Sequence, residues 1–245
     1  MSLLAVGGYS KVYRHGPLAL KVCDRDKGCQ WLFLVREAER HARVPPHENI
    51  LPILGAFLDE RHVVLVTPLQ PGGTLRGFLG RRPARPGELA ALRLQLSDGL
   101  AHLHRAWLLH CDVKPENVLL GRGLESVVIS DFGISLSCDE HGVAVCVGQQ
   151  VGSIGYRAPE VLGASLVTRA VDAWALGCTL LNAAGVSTAP AEGETERDLA
   201  TRISLWARGR EAPLLQIWCC RRATPEAFAA RLRGERRRAS RGFCV

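Results

Sequence analysis

The sequence predicts an α+β chain, with strands crowded at the front and helices filling most of the rest. Two patterns carry that expectation. Short apolar alternations at 4–13, 18–22 and 63–66 read as strands. Between Glu88 and Trp107, Leu89, Leu92, Leu96, Leu100 and Leu103 recur at helical spacing and read as a core helix. A length of 245 residues allows one large domain or two lobes sharing a cleft. A hydrophobic content of 47% supports a real core and argues against disorder.

The first stretch, Leu4-Ala5-Val6-Gly7-Gly8-Tyr9-Ser10-Lys11-Val12-Tyr13, predicts two strands joined by a tight turn. Small residues in such a turn let backbone N–H groups approach phosphates. The strand at 18–22 carries Lys21, which either snorkels to solvent or meets an anion. The helical segment at 32–43 offers Glu37 and Glu39. They lie about 200° apart around a helix, so they cannot both face Lys21. Segments 47–57 and 63–66 read as the next two strands. In Gly72-Gly73-Thr74-Leu75 a helix starts, with Thr74 placed to cap it. His102 and His104 read as surface or packing residues. The apolar run around 173–181 is too short to cross a membrane and reads as a buried helix.

The densest chemistry sits in His110-Cys111-Asp112-Val113-Lys114-Pro115-Glu116-Asn117, followed by the apolar Val118-Leu119-Leu120. Asp112 is placed to take a proton from an attacking hydroxyl. Lys114, two residues on, points to the same side of an extended loop and can neutralise a phosphate. Asn117 offers a neutral oxygen to a hard cation. Segments 118–120 and 127–129 read as short strands around the turn Gly121-Arg122-Gly123. That hairpin returns Asp131 close to Asn117, where the two can share a Mg²⁺. A base, a cation site and a phosphate-neutralising Lys are what phosphoryl transfer needs.

These residues resemble the protein-kinase catalytic loop, H-R-D-L-K-P-x-N, followed by D-F-G at Asp131-Phe132-Gly133. The resemblance runs from about Leu4 to Leu181. The 4–12 stretch is similar to the Gly-rich loop in altered form. Ala5 and Ser10 stand at the first and third glycine places and Gly7 at the centre. Leu18-Ala19-Leu20-Lys21-Val22 matches the V-A-I-K strand, and Glu37, in Arg36-Glu37-Ala38, suits the paired helix Glu better than Glu39. Thr67 falls at the back of the nucleotide pocket and Pro68-Leu69-Gln70 at the hinge. Gly152-Ser153-Ile154-Gly155-Tyr156-Arg157-Ala158-Pro159-Glu160 resembles the G-T-x-x-Y-x-A-P-E segment that receives substrate. Asp172-Ala173-Trp174 resembles the start of the helix that anchors the catalytic loop.

The resemblance implies one kinase domain over 1–245, with a small β-rich N-lobe (1–69), a hinge near 68–70, a larger mainly helical C-lobe (71–230) and a basic tail (231–245). It implies ATP and Mg²⁺ as cofactors. ATP is expected on Leu4, Ala5, Val6, Gly7, Gly8, Tyr9, Ser10, Lys11, Val12, Lys21, Glu37 and Leu69. Tyr9 is expected to cap the loop and Val12 to cover the adenine. Pro68 has no N–H, so Leu69 is expected to give the main hinge donor. Asp112 and Lys114 are the expected catalytic residues, and Asn117 and Asp131 the metal ligands. Lys114 and the Gly-Ser-x-x-Tyr segment favour Ser/Thr over Tyr. The alternative is a pseudokinase acting as a binding scaffold, favoured by the thinned Gly-rich loop and the few residues beyond Leu181. A small-molecule phosphotransferase shares the Asp…Asn…Asp core but not Ala158-Pro159-Glu160.

Cys111 departs from the family's Arg, which pairs with a phosphorylated loop residue. Cys cannot form that ion pair, so activity is expected without phosphorylation of the loop at 134–151. That loop holds Ser135 and Ser137 and reads as long and unstructured. Phe228 stands where an Arg partner for Glu160 belongs, leaving Arg221 or Arg222 as substitutes.

The nine Cys form no C-x-x-C pair, which points to free thiols in a reducing compartment. No signal-peptide pattern appears, and the expected setting is intracellular, cytoplasmic and/or nuclear. The net charge of +7 is uneven, since residues 221–245 hold eight Arg against two Glu. Protein substrates are the expected partners, Arg-rich ones among the candidates through Glu116, with no membrane partner. Nucleic acid enters only through the basic tail, where Arg236-Arg237-Arg238-Ala239-Ser240 also reads as an autophosphorylation sequence.

Overall fold

The computed structural model describes residues 1–26, 28–147 and 151–208. The N-terminal part is one antiparallel sheet built from β1 (Ser2–Val6), β2 (Lys11–His15), β3 (Leu18–Asp24), β4 (Gly55–Leu58) and β5 (His62–Pro68), in the order β1-β2-β3-β5-β4. Helix α1 (Trp31–His41) lies between β3 and β4 in sequence. Its Leu34 packs with Cys23, Val63 and Leu65. Glu37, three residues on, shares that buried face, and Glu39 is exposed.

The expected strand at 47–57 shrinks to β4. Pro52 has no N–H to give a ladder. The backbone before it turns to the other half of the molecule instead, where Leu51 N–H donates to Ile129 O (2.9 Å) and Ile129 N–H to Asn49 O (2.9 Å).

The rest of the described chain is mainly helical. It holds β6 (Gly73–Thr74), α2 (Leu75–Leu79), α3 (Pro86–Arg105), β7 (Leu108–Leu109), β8 (Val118–Leu120) and β9 (Val127–Ile129). Then come β10 (Leu136–Ser137), β11 (Val143–Val145), β12 (Leu166–Thr168), α4 (Ala170–Ala183) and α5 (Glu196–Arg208). Thr74 caps α2 by accepting from Gly77 N–H at 3.0 Å. Glu88 holds the start of α3, accepting from Arg85 N–H (2.8 Å) and from both terminal nitrogens of Arg82 (2.7 Å each).

On α3, Leu92, Leu96, Leu100 and Leu103 are fully buried and meet Ile129, Phe132, Leu176 and Leu180. Each contributes about 1.5–3 kcal/mol by leaving water. Gly99 permits the close approach, since a Cβ there would stand 3.0 Å from Ile129 and 3.1 Å from Asn49 O. This core fixes the β8–β9 hairpin and the loop before it. The two-part α+β arrangement agrees with the bilobal fold expected from the sequence.

Within the loop at 134–151, the described residues 134–147 hold more structure than their sequence predicts. Strand β10 pairs with β7, and β11 pairs with β12. Both partners are distant in sequence, so local pattern does not show them. Glu160 is exposed, while Arg221, Arg222, Phe228, Ser240 and the basic tail lie outside the described residues.

Among the described residues, no helix is long and apolar enough to cross a membrane, and Cys29, Cys111, Cys138 and Cys146 are free thiols.

Candidate active site

A cleft of about 600 Å³ opens between the two parts. Leu4, Ala5, Val12 and Ala19 line it from the sheet, and Thr67 to Pro71 from the connection. Leu119 of β8 lines the opposite side, and Lys21, Glu37, Asn117 and Asp131 gather at one end. Of the residues expected to bind ATP, Leu4, Ala5, Val12, Lys21, Glu37 and Leu69 line the cleft. Val6, Gly7, Gly8, Tyr9, Ser10 and Lys11 form the turn and strand ends beyond it. Arg14 also lines it, two residues from Val12 and so on the same strand face.

Antiparallel pairing sets Lys21 directly opposite Val12 on β2 and Leu65 on β5. Its ammonium bonds Glu37 Oε2 at 2.7 Å and Asp131 Oδ1 at 2.9 Å. Burial, the largest influence, pulls the Lys21 pKa down, but Asp131 and Glu37 outweigh it and the net shift is upward. Burial likewise opposes ionisation of Asp131, and Lys21 reverses that, leaving the carboxyl below its ordinary value. Lys21 is therefore a fixed cation and Asp131 a fixed anion.

The turn at 7–10 closes through Gly7 N–H to Ser10 O at 2.7 Å. Tyr9 points inward, stacked on Phe33 at 5.3 Å, with the Lys21 ammonium 5.9 Å from its ring. Burial first, then the Asp131 charge, push its phenol up to about 12. Its hydroxyl would lie 2.7 Å from a Cβ at position 133, which Gly133 lacks.

Asp112 is the centre of a second constellation. Its Oδ1 accepts from Ser153 Oγ (2.7 Å), and its Oδ2 from Lys114 Nζ (2.7 Å) and Asn117 Nδ2 (2.9 Å). Lys114 also donates to Ser153 Oγ at 2.7 Å. With its amide nitrogen turned to Asp112, Asn117 keeps its side-chain oxygen for another partner. Ser130 ties the two halves of the site, since its N–H and Oγ both donate to Asn117 O at 2.9 Å. Asp131 follows directly. One amide oxygen and one carboxylate suit a hard divalent cation that keeps several waters.

The loop under Asp112 hangs from Asp172. That buried carboxylate accepts from His110 N–H (2.9 Å), Cys111 N–H (2.7 Å) and His104 Nε2 (2.7 Å). Burial, the largest single influence, raises its pKa, but the His104 hydrogen bond and charge, His110 and the Cys111 N–H together outweigh it, so Asp172 stays ionised. The bonds hold Cys111 at φ 66, and Asp131 sits at φ 69. Such left-handed angles in non-glycine residues cost about 1–3 kcal/mol and persist only where the surroundings impose them.

The protein kinase domain family matches residues 3–207. The chain belongs to this family. It is 34% identical to Aurora kinase C of Mus musculus over 210 residues, 82% of this chain and 74% of that protein. It is 29% identical over 208 residues to the L-type lectin-domain containing receptor kinase S.1 of Arabidopsis thaliana, covering 80% of this chain and 31% of the relative. Identity to a calcium/calmodulin-dependent serine/threonine-protein kinase of Malus domestica is 42% over 141 residues, 56% of this chain and 33% of the relative. The chain thus spans about a third of the length of two of these relatives.

Several residues of this kinase domain escape a reading of its sequence. His104 is no mere packing residue, since it braces Asp172. Arg40 of α1 donates to Phe132 O (3.2 Å) and Gly133 O (2.6 Å), tying the helix that carries Glu37 to the segment that carries Asp131. The Leu69 N–H does not face the cleft. It donates to Pro17 O at 2.8 Å, continuing the β3–β5 ladder, and Leu69 lines the cleft by its other atoms. Among the described residues no acceptor takes the Gln70 N–H, so Gln70 is the free hinge donor. Glu116 is also committed, paired with Arg76 at 2.7 Å.

Proposed function

We propose that the chain is an ATP-dependent protein serine/threonine kinase that transfers the γ-phosphate of Mg-ATP to protein Ser and Thr hydroxyls. Lys21, Glu37 and Asp131 gather at one end of the cleft, and Asn117, which lines it beside them, bonds Asp112 and so joins them to Lys114 and Ser153; that junction carries this reading. The nucleotide base lies under Val12 and Ala19, with Gln70 N–H as its donor. Lys21, braced by Glu37, positions the phosphates. Asn117 and Asp131 would hold Mg²⁺, which when bound would neutralise phosphate charge. Asp112 Oδ1 already takes one hydroxyl donor, from Ser153. A substrate hydroxyl at that oxygen gives up its proton to Asp112 as its own oxygen bonds the γ-phosphorus and the bond to the β-phosphate oxygen breaks. Lys114 balances charge on the moving group. The work is mostly positioning and charge stabilisation.

Activity without loop phosphorylation follows from the same site. Cys111 is buried and offers no cation, and Ser135 is buried with its hydroxyl on His110 O (3.1 Å). The Arg40 contacts already hold the segment after Asp131 in place. Replacing Ser135 and Ser137 by Ala is expected to leave transfer intact. A large loss that an acidic replacement restores would contradict this. An Arg-rich substrate gains no support from Glu116, and an intracellular setting rests on the free thiols.

The test is transfer of labelled γ-phosphate from Mg-ATP to a mixed protein substrate, beside Asp112→Asn. Label on Ser and Thr that disappears in the variant is the expected result. Nucleotide binding without transfer would favour the scaffold reading.

A further inference from the structure

A groove of about 370 Å³ adjoins Asp112, running past Lys114 and Ser153 to Ile154, Tyr156 and the 187–190 segment. Its far rim is pinned in advance. Asn182 Nδ2 donates to Thr188 Oγ1 (2.8 Å), and Arg202 donates to Ala189 O (2.9 Å). Gly155, at φ +86, lets the near wall approach Thr188 O, where a Cβ would stand 2.8 Å away.

The groove has two chemical ends. At one, Ile154 is 56% exposed. It lines the groove beside Ser153, whose hydroxyl is on Asp112, and so stands close to where the reacting hydroxyl would sit. At the other end stands Glu116, which by itself would attract a cationic side chain. Arg76 occupies it. The Arg76 guanidinium donates to Glu116 Oε1 (2.7 Å), Tyr156 Oη (2.8 Å) and Asn182 Oδ1 (3.4 Å). An isolated exposed ion pair is weak, and a peptide Arg would displace it easily. This one has two further anchors on the groove wall. A guanidinium pushed off Glu116 stays tethered beside it, where its charge repels the incomer. Arg76 therefore selects against basic peptides as well as filling the acidic subsite.

We infer that Arg76 is a specificity-determining residue, and that the substrates are hydroxyl peptides with an apolar residue beside the acceptor and no requirement for Arg or Lys. The inference rests on the protein-kinase reading for the identity of the ligand, and on Arg76, Glu116 and Ile154 for its chemistry. By this account Arg236-Arg237-Arg238-Ala239-Ser240 is a poor substrate for its own domain.

The experiment uses the full chain and a peptide array in which every position from four before to four after a central Ser is varied. The expected result is selection for an apolar residue at one neighbouring position by about fivefold or more, and less than about twofold for Arg or Lys at any position. Ile154→Ser removes the first preference. Arg76→Met creates a preference for Arg of about fivefold at one position, and Glu116→Gln added to it removes that gain. Glu116→Gln alone creates no preference for Arg or Lys, and Arg76→Met keeps the apolar preference set by Ile154, which shows that the variant is folded. Wild-type selection for Arg that Glu116→Gln abolishes would overturn the inference. Absence of transfer to every peptide and to a general protein substrate would count against the kinase reading instead. Fluorescence anisotropy of an apolar-flanked and an Arg-flanked labelled peptide would then still decide the groove's preference. Tighter binding of the Arg-flanked peptide by the wild type would overturn it.

Discussion

Between His110 and Asn117 every residue but Lys114 and Glu116 is buried, while none of the five residues of β1 is. The first segment has its backbone bonded to Asp172 and its side chains bonded to one another. The second is an edge strand, paired on one side with β2 through an irregular register at Leu3 and Ala5. The contrast follows the sequence. The 110–117 stretch lies on a floor fixed from several directions, and the 4–12 stretch forms a roof with few ties. Chemistry that depends on positioning needs the first, and nucleotide entry and exit need the second.

The largest effect expected is at the floor's anchor. Asp172→Ala leaves two buried N–H groups and His104 without their acceptor, and is expected to destabilise the protein by about 3–5 kcal/mol. Chemical denaturation measures it. A change under about 1 kcal/mol would break the distinction between floor and roof. Lys21→Met comes next. It removes the cation joining Glu37 to Asp131, and transfer should fall about 10²–10³-fold while nucleotide-free folding persists.

Glycines sharpen the contrast. A Cβ at Gly72 would run into the Gly121 and Leu120 backbone, whereas one at Gly8 meets nothing within 4 Å. Gly72→Ala is expected to cost about 1–3 kcal/mol. Gly8→Ala should be neutral or stabilise by up to about 1 kcal/mol through the unfolded chain. Melting temperatures of the pair decide it.

The smallest effect is in pH. Burial lowers the pKa of His41, against the opposing bond of its Nε2 to Leu51 O. The folded protein therefore resists protonation that the unfolded chain accepts. Stability is fully present above the unfolded value of about 6.5 and falls as pH drops from there through the folded value. The melting temperature should decline between about pH 7 and pH 5, and less so in His41→Gln.

What the sequence showed was local. The 118–129 hairpin is bounded by a glycine turn. Helical phase separates Glu37 from Glu39, because three residues from Leu34 returns to the same face. What it hid was long-range. His104 meets Asp172 68 positions away, Arg40 reaches Phe132 across 92, and Arg76 reaches Glu116 across 40. Pairing of β10 and β11 depends on strands that no local pattern names. The Leu69 donor was misplaced because Pro17 O claims it, a contact set by sheet register rather than by hinge composition.

Amide hydrogen exchange with and without Mg-ATP is the most direct measurement of floor against roof. The account predicts that His110 and Cys111 N–H exchange slowly in both states, while β1 and the 7–10 turn exchange quickly and become protected when nucleotide binds. Fast exchange at His110 and Cys111, or a turn indifferent to nucleotide, would contradict it.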